Sequence, residues 1–432
     1  MSAFMRILHL NKMDSGGGAA DGFMRIHRAL LQAGHDSMAY VLKPQNSEGI
    51  TFNVKKILKS SSHLQWAVAR AYAKLQRWGQ KASGVYDFDV EANFPPEPLI
   101  QHLQKLPPVD FILVHWAAGF LRAESIEQIS RALQAPVGLW QVDMAHMTGG
   151  CHYALGCDRY QSGCGACPLL NSTDSQDISA QQASQRAAVW QRLRPLLLSP
   201  SSWSAQQAQD SKILRGFPEA IIPIPLDLKR FNPGRAQEAR QALNLPQDRR
   251  IFLVRGTHPS ITYKGFQVFR QALEQLAEAA ESLPYKIHII VAGTAGLLPA
   301  QLGSITVTDL GPLVGDQALA QAYQACDVFV SPSINDAGPM MVGEAMLCAR
   351  PVVAFPVGIA IDLVKTNQTG TLVRPIGDAT ALASVMAHYA TLEQAALEAQ
   401  QPQARRLAET LFSPVYFEQA FTAAVQQYSK QR

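Results

Sequence analysis

Residues 331–351 read Ser331-Pro-Ser-Ile-Asn-Asp-Ala-Gly-Pro-Met-Met-Val-Gly-Glu344-Ala-Met-Leu-Cys-Ala-Arg-Pro351, and this stretch decides the reading of the fold. An apolar strand candidate, Val328-Phe-Val330, precedes it. A helix is predicted from near Pro339 through Cys348, and a second strand candidate, Val352-Val-Ala-Phe355, follows. Acidic and glycine residues therefore sit where a strand end meets a helix start. In open α/β sheets that crevice is where ligands bind. The backbone N–H groups of such a helix start point at an anion, and the helix dipole favours negative charge there.

Outward from this block, apolar strand candidates alternate with helical patterns. Met5 to Leu10 reads as a buried parallel strand; a glycine loop, Ser15 to Gly18, and a helical pattern through Phe23, Ile26, Leu30 and Leu31 follow. Asp36 to Leu42, Phe111 to His115, Pro136 to Trp140, Leu196 to Ser199 and Ala220 to Ile224 continue the first series. Ile251 to Val254, Lys286 to Ala292, Val328 to Val330 and Val352 to Phe355 form a second. The proline-rich stretch Pro223 to Pro233 lies between them and reads as a linker. Alternation of this kind predicts α/β architecture, with two Rossmann-like domains of parallel sheet facing across a cleft. The expected boundaries are 1–222, carrying a cysteine-rich insert at 148–170, then 223–413, then an amphipathic helix within 414–432 that returns to the first domain.

Bulk properties bound the function. The chain has 432 residues, 47% hydrophobic and 17% charged, which fits two or three domains with full cores and excludes a disordered chain. No apolar run approaches the roughly 20 residues that span a bilayer. The apolar start leads into glycines rather than a small-residue cleavage site, so it reads as a strand and the chain as cytosolic. The net charge of +4 is local: no acidic residue lies between Glu48 and Asp87, and that interval holds Lys55, Lys56, Lys59, Arg70, Lys74, Arg77 and Lys81. Without those seven, 31 basic residues face 34 acidic ones, which argues against nucleic acid as a partner.

The order of these motifs resembles retaining GT-B glycosyltransferases of glycosyltransferase family four. The likeness is carried by Gly16-Gly17-Gly18, Asp110 to Trp116, Leu198 to Trp203, Ile224 to Phe231, Lys264-Gly265, Ala292-Gly293, Leu310-Gly311 and the 331–351 block. Thr148-Gly-Gly-Cys-His-Tyr153, with its later cysteines, resembles the subset acting in exopolysaccharide and O-antigen (colanic-acid-type) assembly. The resemblance implies transfer of a sugar from a nucleotide-diphosphate donor, a UDP- or GDP-sugar, to a saccharide or lipid-linked acceptor in cell-surface polysaccharide synthesis. Two departures stand out. The family usually places glutamates eight positions apart, whereas here Asp336 precedes Glu344. The family often has His-Asp after the Pro136 to Trp140 strand, whereas here the pair is Val142-Asp143.

The chemistry needs the leaving diphosphate stabilised as charge develops, and preorganised cations and N–H groups do this. The resemblance implies that Arg255 and Lys264 contact the diphosphate. Arg offers a planar fork and Lys a point charge. Glu344 is implied to accept hydrogen bonds from the ribose hydroxyls and Asp336 from the donor sugar, with Asn335 as a substitute. Gly338, Pro339, Met340 and Met341 form the backbone facing sugar and phosphates, although the methionines read equally as core. Gly17 and Gly18 let the backbone approach closely. Asp143 is the candidate near the reaction centre. No protein nucleophile is identified, so front-face displacement is expected, assisted by the leaving phosphate. No Asp-x-Asp pair among these motifs suggests a divalent metal, and no catalytic cofactor is expected.

Two features fall outside that reading. Cys151, Cys157, Cys164 and Cys167 lie within 17 residues, a set that reads as a structural zinc site, an iron–sulfur site, or reduced or disulfide-linked cysteines, with His152 an alternative ligand. Arg70, Lys74, Arg77 and Lys81 share one helix face beside Leu64, Val68, Ala71, Leu75 and Trp78. The stretch 55–81 therefore reads as a helix lying on an anionic membrane surface, peripheral on the cytoplasmic face, or as an ordinary surface helix. The alternative to an enzyme is a catalytically inactive sugar-nucleotide-binding or scaffold protein of GT-B fold, suggested by the shortened Asp336 and by Val142.

Overall fold

The computed structural model describes residues 4–45, 51–61, 88, 96–258 and 260–431. Most of the basic stretch 55–81 and its expected membrane-facing helix lie outside the described residues. The chain forms two compact units, residues 1–225 with 417–432, and residues 226–416.

The first unit is built on a seven-stranded sheet: β1 (Arg6–Met13), β2 (Asp36–Lys43), β3 (Thr51–Asn53), β4 (Phe111–Val114), β5 (Val137–Trp140), β6 (Leu196–Ser199) and β7 (Glu219–Ile221). Its order is β3-β2-β1-β4-β5-β6-β7, with every pair parallel. Leu8, Leu10, Ile112, Val114, Leu139 and Leu197 reach the core from these strands. Such continuous apolar runs are what a sheet covered on both faces requires. β7 stops at Ile221 because Pro223 and Pro225 follow and cannot donate to a ladder. Helices are started by side chains where the sequence supplies a cap. Asp177 accepts from the Ser179 and Ala180 amides at the head of Ile178–Leu193, and Ser201 accepts from the Ser204 amide at the head of Ser202–Asp210.

The last helix, Pro414–Gln431, joins this unit from Phe417 onward. Phe417 packs 6.0 Å from Trp140 and Phe421 6.0 Å from Phe111, measured between ring centroids. The Tyr428 hydroxyl donates to the Arg194 carbonyl at 2.6 Å, and His35 Nε2 meets Glu418 Oε1 at 3.2 Å.

The second unit repeats the plan with β8 (Arg250–Gly256), β9 (Ile287–Gly293), β10 (Gln301–Leu302), β11 (Ile305–Asp309), β12 (Val328–Ser331), β13 (Val352–Ala354) and β14 (Gly370–Leu372). Its order is β10-β11-β9-β8-β12-β13-β14, parallel throughout except for the short hairpin β10–β11. From β8 the chain runs outward through β9 to β11, then returns to β12 on the other side. The topological switch point therefore lies between β8 and β12, and the crevice at their carboxyl ends is the expected ligand position.

Candidate functional site

Four pieces of the second unit meet at that switch point. Arg255 closes β8. The one-turn helix Thr262–Lys264 follows. The loop 332–339 leaves β12, and the helix Met340–Leu347 carries Glu344. The Tyr263 carbonyl accepts from the amides of Ile334 (2.8 Å) and Asn335 (3.2 Å), which binds the Lys264 turn to the loop. Gly265 makes this approach feasible. Its φ is +68°, and a Cβ there would stand 1.8 Å from the Pro332 carbonyl oxygen.

Within this frame Lys264 Nζ donates to Asp336 Oδ2, and the other Asp336 oxygen accepts from the Gly338 amide at 3.3 Å. Gly358, with φ of +55°, lets the loop pack closely: a Cβ there would meet Pro339 Cδ at 2.6 Å and the Asp336 carbonyl oxygen at 2.9 Å. Asn335 is buried, and its Oδ1 has no hydrogen-bond partner among the described residues. A buried amide oxygen without a partner in a crevice is a group that a ligand hydroxyl would satisfy.

Glu344 is also buried, and its Oε2 accepts from the Tyr323 hydroxyl at 3.0 Å. Burial first, and then the Glu344 carboxylate, push the Tyr323 phenol well above its usual 10.0, against the opposing pull of Arg255. The phenol thus keeps its proton and donates it to Glu344. The far end of the Glu344 helix is fastened from the helix Gln394–Phe412. Arg405 donates there to the carbonyls of Leu347, Phe231 (2.6 Å) and Leu228 (3.3 Å).

The candidates of the 331–351 block thus share one crevice with Arg255 and Lys264. Met340 and Met341 turn their side chains onto the core of the unit, so only their backbone could serve a ligand. Gly17 and Gly18 belong to the first unit, where Gly17 opens the helix Gly18–Gln32 with a φ of 149°. Asp143 also lies in the first unit, beyond β5. Its Oδ1 accepts from the Ala145 amide at 2.8 Å and its Oδ2 from His152 Nδ1 at 2.5 Å. His146 is a satisfied core histidine, donating from Nε2 to the His115 carbonyl at 2.7 Å and held below its usual 6.5 chiefly by burial. Tyr323 and the Asp143–His152 pair are absent from the sequence reading. Tyr323 precedes Glu344 by 21 residues and belongs to no glycine or acidic motif.

The four clustered cysteines line one cavity in the first unit, beside Phe88 and Tyr160. All are free thiols, and Cys164 Sγ accepts from the Gly149 amide at 3.2 Å. Burial pushes Cys151 up to about 12 and raises Cys164 and Cys167. Among the described residues, no three His, Cys, Asp or Glu side chains are grouped to hold a metal ion.

The geometry agrees with known folds and sequences. Anabaena HepE, crystallised with UDP and glucose, superposes with a TM-score of 0.65 at 16% identity, covering 98% of this chain and 100% of its own. WaaG, a glycosyltransferase involved in lipopolysaccharide biosynthesis, gives a TM-score of 0.61 at 16% identity, covering 97% of this chain and 98% of its own. The fold is the GT-B fold. Residues 249–391 match the family described as Glycosyl transferases group 1, so the sequence signature of that family lies in the second unit. The D-inositol 3-phosphate glycosyltransferase of Actinosynnema mirum is 32% identical over 164 residues, 35% of this chain and 39% of its own. The putative teichuronic acid biosynthesis glycosyltransferase TuaC of Bacillus subtilis is 30% identical over 187 residues, 42% of this chain and 44% of its own. The chain spans about two-fifths of the length of the curated relatives it matches. Among the described residues, no helix is long and apolar enough to cross a membrane.

Proposed function

We propose that this protein is a glycosyltransferase that binds a nucleotide-diphosphate sugar in its second unit and passes the sugar to a saccharide or lipid-linked acceptor, with retention at the anomeric carbon and without a catalytic metal. The observation that carries this reading is the gathering of Arg255, Lys264, Asp336 and Glu344 at one switch point. Two cations suit a diphosphate and two carboxylates suit sugar hydroxyls. The UDP and glucose held by the similarly folded HepE support a uridine donor. The teichuronic acid and lipopolysaccharide roles in the names of TuaC and WaaG support a cell-surface product.

In this reading Arg255 and Lys264 neutralise the charge that grows on the leaving phosphate. Glu344 fixes the ribose and Asp336 the transferred sugar. The acceptor oxygen forms its bond to the anomeric carbon as the phosphate oxygen leaves from the same face. The acceptor's proton passes to that phosphate.

The test is to incubate the protein with UDP- and GDP-sugars and oligosaccharide acceptors, and to follow nucleoside diphosphate release and anomeric configuration by NMR. An α-linked product from an α-linked donor, formed in the presence of chelator, is expected. An inverted product, or activity that returns only with manganese, overturns the mechanism. Nucleotide binding without turnover on any acceptor favours the inactive scaffold.

A further inference from the structure

In the loop 332–339 two neighbouring side chains are treated differently. Asn335 is 8% exposed, and its Oδ1 is shut off from solvent with no hydrogen-bond partner among the described residues. Asp336 spends both of its oxygens within the protein, one on the Lys264 ammonium and the other on the Gly338 amide at 3.3 Å. The orphan oxygen is not slack in a loose loop, because the backbone is pinned on both sides of it. The Ile334 and Asn335 amides donate to the Tyr263 carbonyl at 2.8 and 3.2 Å. On the other side, the Asp336 carbonyl oxygen packs so closely on Gly358 that a Cβ there would stand 2.9 Å from it. A buried acceptor without a donor costs stability, and the fold carries that cost at a place where a ligand can supply the donor.

We propose that Asn335 is a specificity-determining residue of the donor site: its side-chain oxygen accepts one hydroxyl of the transferred sugar, so that a hexosyl donor carrying that hydroxyl is selected over its deoxy counterpart. The proposal rests on the donor-site reading given above. Asn335 lies beside the carboxylate proposed for the same sugar, in the loop that leaves β12 at the switch point. Energetics separate the two residues. A hydroxyl that reaches Asp336 has to displace Lys264, so one hydrogen bond is exchanged for another. A hydroxyl that reaches Asn335 Oδ1 displaces no partner among the described residues, so a hydrogen bond is gained. Turning Asp336 away from Lys264 to receive the donor uncovers the adjoining amide in the same event. A sugar without that hydroxyl leaves the amide oxygen orphaned beneath it. For this reason a site that hydrogen-bonds a substrate hydroxyl rejects the analogue lacking it.

The experiment is calorimetry on wild type and Asn335→Leu, which matches the amide in shape. The ligands are UDP, GDP, UDP-glucose, UDP-galactose and GDP-mannose, then each monodeoxy form of the sugar nucleotide that wild type binds best. Asn335→Leu should bind the intact donor about tenfold or more weaker, and the free nucleoside diphosphate within about twofold of wild type. One monodeoxy donor should bind wild type about tenfold or more weaker than its parent and lose nothing further in Asn335→Leu. Variant and analogue then remove the two halves of one hydrogen bond. The ligand-free variant should melt no lower than wild type, since an apolar group replaces an orphaned polar one. Unchanged donor affinity in Asn335→Leu overturns the proposal alone. An equal loss for donor and free nucleoside diphosphate does the same, because it marks a shift of the whole loop. If no monodeoxy form weakens in wild type, the proposal falls without the variant. It falls also if wild type binds a nucleoside diphosphate but none of the three sugar nucleotides. Binding of none of the five ligands overturns the donor-site reading, and the proposal with it.

Discussion

The Lys264 ammonium donates a hydrogen bond to the Asp336 carboxylate, so the cation proposed for the diphosphate and the carboxylate proposed for the donor sugar are each other's partner. The pair is largely shielded, with side-chain exposures of 20% and 8%. A donor must separate it, giving phosphate to Lys264 and sugar hydroxyls to Asp336 in the same event. Asp336→Asn should therefore bind free nucleoside diphosphate as tightly as wild type, or up to about threefold tighter, because the competing carboxylate is gone. Sugar transfer should fall by about tenfold or more, since the hydroxyl acceptor is weakened. Calorimetry and steady-state kinetics check both. A loss of nucleotide affinity on removing Asp336 would mean the carboxylate orients Lys264 instead of competing for it.

Arg405 is a structural counterpart to these site residues. It donates to three carbonyls, those of Leu228, Phe231 and Leu347, and through Leu347 it steadies the helix that carries Glu344. Arg405→Ala should destabilise the protein by about 2–4 kcal/mol, because it leaves carbonyls without partners and removes packed methylenes. Urea unfolding measures the loss. A change below about 0.5 kcal/mol would show that water takes over the three carbonyls.

Acid should destabilise the first unit through its histidines. His9, His115 and His146 are all held below 6.5, chiefly by burial, and His115 falls to about 3. His9 sits in a chain of contacts, 2.9 Å from His115 Nε2 and 2.8 Å from Ser37 Oγ, and Ser37 Oγ lies 2.7 Å from His27 Nδ1. Below pH 6.5 the unfolded chain protonates these rings and the folded chain does not. The unfolded state then binds more protons, and stability falls as pH drops from about 6.5 toward about 3. Each histidine contributes up to about 1.4 kcal/mol per pH unit in that window. Melting at pH 7.5, 6.0 and 5.0 should show the decline, and His146→Gln should make it shallower. A melting temperature flat across that range would contradict the burial described.

The cysteine cavity makes a prediction about metal. The four thiols line one cavity, so zinc content decides their role: less than about a tenth of an equivalent in protein purified anaerobically marks reduced thiols, and a full equivalent a structural metal. Cys151, Cys164 and Cys167, all raised by burial, should react slowly with alkylating reagents until the chain is unfolded. One equivalent of zinc, removable with chelator at the expense of several degrees of melting temperature, would mean that the loops close on a metal.

Much of this architecture is legible in the residues, and the exceptions have physical causes. Continuous apolar runs such as Phe111 to Val114 and Ile287 to Ala292 announce buried parallel strands, and both lie where the periodicity puts them. β3, β14 and the β10–β11 hairpin are missed. β10 has two residues and β3 and β14 three, too few to show a period. The opening Gly370 of β14 is demanded by a contact no local pattern encodes, since a Cβ there would lie 1.9 Å from the Val352 carbonyl oxygen. The charged part of the proposed donor site is legible because Lys264, Asp336 and Glu344 follow strand ends in glycine-marked loops. Tyr323 is not, because a tyrosine in a helix ahead of the motif looks like core. Its hydroxyl meets Glu344 only once the fold brings the two helices together. Asp143 is legible as a carboxylate after a strand, whereas its contact with His152 depends on the path of the cysteine-rich loop.

The central claim is that the switch point of the second unit is a nucleoside-diphosphate site, and calorimetric titration of wild type, Lys264→Ala and Glu344→Ala with UDP, GDP and ADP tests it most directly. One nucleotide should bind wild type selectively. Each substitution should weaken it by about ten- to a hundredfold, the range for losing a hydrogen bond to a charged group. Failure of wild type to bind any of the three, or binding that neither substitution disturbs, would contradict the claim.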